Sequence, residues 1–125
     1  MKEKKKILVV DDEADFTKLI KLNLERTGKY DVRTENLGAR ALVAARAFRP
    51  DLVLLDILMP DVMGNEVAAQ MKEDDETKNI PVIFLTAVVG KDEVGQKGGV
   101  IGGHLFVAKP VDIKKVIEVI EENLH

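Results

Sequence analysis

Five short apolar runs, four of them followed by a polar turn and a helical pattern, constrain this chain more than any other feature. Ile7-Leu8-Val9-Val10, Leu52-Val53-Leu54-Leu55, Val82-Ile83-Phe84-Leu85 and Leu105-Phe106-Val107-Ala108 are continuously apolar. Tyr30-Asp31-Val32-Arg33-Thr34 is weaker and alternates. Apolar runs without alternation belong to strands covered on both faces, as in a parallel sheet. Pro81, just before the third continuous run, suits a strand start.

Helical spacing fills the gaps. Phe16, Leu19, Ile20 and Leu24 form one stripe, and Gly28 is placed to end that helix. Ala41, Leu42, Ala45 and Phe48 form a second stripe, closed by Pro50; Val67, Ala68 and Met71 form a third. Ile113, Val116, Ile117, Ile120 and Leu124 form the last, with Asp112 as its N-cap. Such alternation predicts an α/β fold with a parallel sheet, helices on both faces and right-handed crossovers. One segment resists. Six of the nine glycines fall between Gly90 and Gly103, where the alternation asks for another helix. Each glycine costs a helix about 1 kcal/mol relative to alanine. Only Lys91 to Lys97 reads as helical, so that element is expected to be short or mobile.

The 125 residues fit one domain, 1–125. A net charge of -3 argues against direct nucleic-acid binding by this domain. With no cysteine, disulfides and thiolate metal sites are excluded; His104 and His125 are too far apart in sequence to suggest zinc. The lysines at 2, 4, 5 and 6 precede only a four-residue apolar run, Ile7 to Val10. That is neither a secretory signal nor a membrane span, which needs roughly 20 apolar residues. A cytoplasmic setting without membrane contact is expected.

The acidic residues carry the chemistry. Asp11 and Asp12 follow the first strand, and Asp56 closes the third. Open α/β sheets bind ligands beyond the carboxyl ends of their strands, where strand order reverses. If the first and third strands are neighbours, three carboxylates converge there. Such crowding raises a pKa or recruits a cation, and oxygen ligands without His or Cys select Mg²⁺ or a similar ion. Thr86 ends the fourth strand and Lys109 follows the fifth, at the same edge. An ammonium and a hydroxyl there would balance charge on a phosphoryl group in transfer. A carboxylate can itself be the nucleophile, and Asp56 is the central candidate. Alone, each residue has a plain explanation: a helix cap for Asp11 or Asp12, a solvated strand end for Thr86 or Lys109. Their joint placement is what points to a site.

The same residues carry a resemblance. Val9-Val10-Asp11-Asp12-Glu13, Asp56-Ile57-Leu58-Met59-Pro60 with Gly64 beyond it, Phe84-Leu85-Thr86-Ala87 and Phe106-Val107-Ala108-Lys109-Pro110 occur in the order found in receiver domains of bacterial two-component response regulators. The chain resembles that family over essentially its whole length. The resemblance implies a flavodoxin-like five-stranded sheet of order 2-1-3-4-5, for which the family is itself a type case. It implies a phosphorylation-dependent switch with Asp56 as phosphoacceptor. Asp12 would be a direct Mg²⁺ ligand, Asp11 would act through water, and the Leu58 backbone carbonyl would complete the protein ligands. Thr86 would meet the phosphoryl group, and Phe106 would turn inward in response. The Lys109-Pro110 peptide would be cis. The donor would be a phosphohistidine on a sensor histidine kinase or a phosphotransfer protein, and the output would be a downstream protein target. The chain would not be an enzyme, beyond assisting its own phosphorylation and dephosphorylation.

Departures from the family matter as well. Before the fifth strand the family carries small residues and acids, whereas this chain reads Gly102-Gly103-His104-Leu105. In the family, the side chains two residues past the acceptor and two past the threonine influence how water reaches the acyl phosphate, and the resemblance puts Leu58 and Val88 at those places. Both are apolar, which implies slow self-dephosphorylation. Alternatives are a phosphorylation-independent interaction module on the same fold and an aspartyl-phosphate phosphatase. The first would be expected to lack Asp56, Lys109 or the acidic pair. The second would place an acid where Leu58 stands.

Overall fold

A computed structural model of the chain describes residues 3–86, 99–101, 104–109 and 111–124; for residues 86, 99–101, 104–106 and 108 it describes the backbone alone. The elements in order are β1 (Lys5–Val10), α1 (Ala14–Arg26), β2 (Tyr30–Glu35), a 3₁₀ turn (Gly38–Arg40), α2 (Ala41–Phe48), β3 (Leu52–Asp56), α3 (Gly64–Glu73), β4 (Val82–Thr86), β5 (Gly99–Ile101), β6 (His104–Ala108) and α4 (Ile113–Asn123). The sheet order is β2-β1-β3-β4-β6-β5. Pairings among β2, β1, β3, β4 and β6 are parallel, so the expected order 2-1-3-4-5 is present in those five strands.

A sixth strand was not anticipated. β5 pairs antiparallel with β6, matching Gly99 to Phe106 and Ile101 to His104. Its signal was short: the β-branched pair Val100-Ile101 ahead of Gly102-Gly103, a dipeptide suited to a tight hairpin. The glycine count masked a strand three residues long. The helix expected over 91–97, Val88 and the Lys109-Pro110 peptide lie outside the described residues.

The continuous apolar strands are covered on both faces. Leu8, Val10, Val53, Leu55 and Phe84 pack against α2 and α3 through Ala41, Ala45, Val67 and Met71. Ile7, Val9, Leu52, Leu54, Ile83 and Leu85 pack on the other face against α1 and α4 through Ile20, Leu24, Val116 and Ile120. Neighbouring residues of one strand thus serve opposite cores, and every residue of β3 is buried. Burying each such Leu, Ile or Val contributes about 1.5–3 kcal/mol.

The α1 stripe is rotated from the expected one. Leu19 is 52% exposed, and the core-facing positions are Thr17, Ile20 and Leu24. Thr17 can be buried because its hydroxyl donates to the Ala14 carbonyl at 3.0 Å and accepts from Asn36 Nδ2 at 3.1 Å. Gly28 ends α1 at φ +77°, and its N–H donates to the Glu25 carbonyl. At the other end of the chain the Asp112 side chain caps α4 by accepting from the Lys114 amide.

β2 is an edge strand, and α1 closes its open side at one rung. Val32 N–H donates to Glu25 Oε2 at 3.1 Å, and the Val32 carbonyl accepts from Lys21 Nζ at 2.6 Å. The backbone bond holds the Glu25 carboxyl below its ordinary range, with the Lys21 ammonium adding to the shift against partial desolvation. Among the described residues no helix is long and apolar enough to cross a membrane.

Candidate functional site

The register of β1 and β3 pairs Val10 with Leu55, so the residues that follow, Asp11 and Asp56, leave the sheet side by side. Asp12 lies at the same edge, and one carboxylate oxygen from each of Asp11, Asp12 and Asp56 lies within 4.8 Å of the others. The convergence anticipated for neighbouring first and third strands is therefore present. Asp11 is fully buried, Asp56 is 5% exposed and Asp12 is exposed.

Lys109 extends from the end of β6 into this cluster. Its Nζ donates to Asp11 Oδ2 at 2.6 Å and stands 3.6 Å from Asp56 Oδ1 and 3.7 Å from Glu13 Oε1. It also lies 4.5 Å from the centroid of the Phe16 ring. Thr86 ends β4, which pairs directly with β3, and its backbone is matched to Ala108, one residue before Lys109. Leu58 lies two residues beyond Asp56, with its side chain 53% exposed. Phe106 occupies β6 opposite Phe84. A switch role for Phe106 and a hydroxyl role for Thr86 depend on side chains outside the described part of the structure.

Burial and crowding set the electrostatics. The Asp56 carboxyl is pushed up to about 6, first by desolvation and then by the Asp11 charge; Lys109 opposes the rise and Asp12 adds to it. Lys109 loses solvent, which alone would lower its pKa. The hydrogen bond it donates to Asp11 and the charges of Asp11, Asp56 and Glu13 outweigh that and raise it. The ammonium therefore stays charged at neutral pH. Among the described residues, three carboxylates against one close cation leave negative charge in excess, and hard oxygen donors suit Mg²⁺.

The supporting residues were less legible. Asp11 Oδ1 accepts from the Glu13 amide at 2.9 Å, fixing the turn that carries the acidic pair. Asn36, after β2, donates one amide hydrogen to the Asp11 carbonyl at 2.8 Å and another to Thr17 Oγ1 at 3.1 Å. Gly64 N–H donates to the Ile57 carbonyl at 2.7 Å. A Cβ on Gly64 would collide with the Asp56 carbonyl oxygen and lie 2.8 Å from Ile57 Cα. Only glycine lets the start of α3 approach Asp56 this closely. Asp61 accepts from the Gly38 and Ala39 amides at 3.2 and 2.9 Å, tying the loop after β3 to the turn before α2. Gly64 had a signal in the sequence, its place beyond the Asp56 motif. Asn36, Asp61 and Phe16 had none that local spacing could show.

Comparison with known proteins decides the family. Residues 7–121 match the response regulator receiver domain. The chain belongs to that family. The polar-differentiation response regulator DivK of Brucella anthropi is 38% identical over 122 residues, covering 96% of both chains. DivK of Brucella ovis is 36% identical over the same share. The N-terminal domain of a response regulator receiver protein from Methanoculleus marisnigri is 36% identical, with a TM-score of 0.70 over 94% of each chain. The chemotaxis response regulator CheY4 of Vibrio cholerae superposes with a TM-score of 0.82 at 24% identity, over 98% of this chain and 100% of that one, and supports the fold alone. The receiver fold and its flavodoxin-like strand order are thus established for this chain, together with an acidic pocket able to hold a metal.

Proposed function

We propose that this receiver domain, taken as residues 1–125, is a phosphorylation switch whose acceptor is Asp56. The observation that carries the reading is the clustering of the Asp11, Asp12 and Asp56 carboxylates within 4.8 Å, with Lys109 Nζ 3.6 Å from Asp56. In the transfer, an Asp56 carboxylate oxygen attacks the phosphorus of a phosphohistidine. The P–N bond breaks, its electron pair stays with the imidazole, and an acyl phosphate forms on Asp56. Lys109 balances charge on the phosphoryl oxygens, and Thr86 at the adjacent strand end supplies a hydroxyl.

Asp11, Asp12, Asp56 and the Leu58 carbonyl would hold Mg²⁺. When bound, the ion supplies the positive charge that lets an anionic donor approach an anionic acceptor. The donor is a sensor histidine kinase or a phosphotransfer protein, in the cytoplasm, and the output is binding to a protein target. The chain assists its own phosphorylation and does not turn over a separate substrate. Leu58 cannot orient a water by hydrogen bonding, which supports a long-lived acyl phosphate.

Incubation with Mg²⁺ and acetyl phosphate, followed by mass measurement, tests the reading. Wild type gains one phosphate and Asp56→Asn gains none. Equal labelling of the variant would remove Asp56 from the acceptor role.

A further inference from the structure

We infer that Phe16 is a positioning residue for Lys109, holding its ammonium over an aromatic face between the acidic cluster and α1. Lys109 Nζ lies 4.5 Å from the Phe16 ring centroid, well inside the range of a cation–π contact. The ring is anchored: Phe16 is half-buried and packs against the core formed by β1, β3, β4 and α4. The Lys109 side chain is only 14% exposed, so the contact is shielded from solvent. Shielding strengthens an attraction that water would otherwise weaken.

Among the described residues the other neighbours do not replace it. Asp11 takes one N–H at 2.6 Å, while Asp56 and Glu13 stand beyond hydrogen-bond range at 3.6 and 3.7 Å. The Glu13 side chain is also 68% exposed, which makes it a loose partner. A ring face attracts the charge without occupying a hydrogen. Phe16 can therefore retain the ammonium near Asp56 while its N–H groups exchange Asp11 for phosphoryl oxygens. An apolar residue of similar size fills the space but provides no such hold. This inference rests on the reading of Lys109 as the phosphoryl-binding cation.

The test compares wild type, Phe16→Leu, Phe16→Met and Phe16→Tyr by two measurements. In metal-free protein, the Lys109 ε-methylene protons are expected upfield in wild type and Phe16→Tyr, shifted by the ring current. They return toward ordinary lysine values in Phe16→Leu and Phe16→Met. With Mg²⁺ and acetyl phosphate, Asp56 labels roughly 2- to 30-fold more slowly in the two aliphatic variants, the worth of one such contact. Phe16→Tyr restores the rate. The two aliphatic variants guard against one of them failing to fold. The inference is overturned if wild type shows no upfield shift, or if it labels no faster than both aliphatic variants. Wild type that takes no phosphate on Asp56 overturns the underlying reading instead, whatever the lysine shifts show.

Discussion

Lys109 Nζ donates to Asp11 Oδ2 at 2.6 Å across 98 residues of sequence. This contact joins the last parallel strand to the first, and both strands reach Asp56 from opposite sides of β3. It also leaves Asp56 the less well compensated carboxylate, since Lys109 stands 3.6 Å from it and shares its charge with Asp11.

The Asp56 carboxyl is therefore expected to titrate near 6 in metal-free protein, because burial and the Asp11 charge outweigh the help from Lys109. A ¹³C NMR titration of the side-chain carboxyl in chelator measures this. Added Mg²⁺ should move the midpoint down, since a nearby cation favours the carboxylate. A metal-free midpoint near the ordinary 3.8 would contradict the crowding described above.

That titration fixes a stability prediction. The folded pKa, about 6, lies above the ordinary 3.8, so between those values the folded state holds more protons than the unfolded one. Stability then falls as pH rises through this window. Asp56→Asn removes the cost and should stabilise the domain by about 1–3 kcal/mol at neutral pH. The gain should vanish below the unfolded pKa. Urea unfolding of both proteins at low and neutral pH checks the sign.

Divalent ions should stabilise the fold by mass action at the acidic cluster. At 100 times its dissociation constant, Mg²⁺ is expected to contribute about 2.7 kcal/mol to unfolding free energy. Asp12→Ala should lose most of that response, because it removes one of the three carboxylates that converge there. Thermal unfolding with and without the ion reads both effects.

Gly64→Ala should destabilise the domain by about 3 kcal/mol, the upper part of the usual overpacking range. The new methyl meets the backbone of Asp56 and Ile57, and neither can move without shifting the end of β3. Labelling of Asp56 should fall along with stability. Urea unfolding that matches wild type would show that α3 can retreat freely.

Asn36→Ala should cost about 1–3 kcal/mol, since it leaves the Asp11 carbonyl and the buried Thr17 hydroxyl each short of a partner. It should also weaken Mg²⁺ binding measured by calorimetry, because the turn carrying Asp11 and Asp12 loses a tether.

Much of this architecture could be read from the chain itself, because its strands are apolar on both faces and punctuated by charged residues at one end. Asp11, Asp56 and Lys109 were legible for that reason: each interrupts or follows an apolar run, where a charge is otherwise costly. Leu19 was misplaced because helical spacing alone cannot distinguish neighbouring apolar stripes, and burial of Thr17 depended on Asn36, 19 residues away. The β5 strand was hidden by glycines that usually oppose regular structure. Phe16 read as plain core, since its cationic neighbour lies at the far end of the sequence.

The side-chain bridge from Lys21 and Glu25 to Val32 has a consequence for how these molecules meet one another. An incoming extended segment seeking a ladder along β2 finds the outward amide and carbonyl of that rung already taken. To dock it must first displace a carboxylate and an ammonium and leave both without their backbone partners. At that rung the border of the sheet resists pairing with a strand from a crowded neighbour, one of the devices by which an edge is blunted.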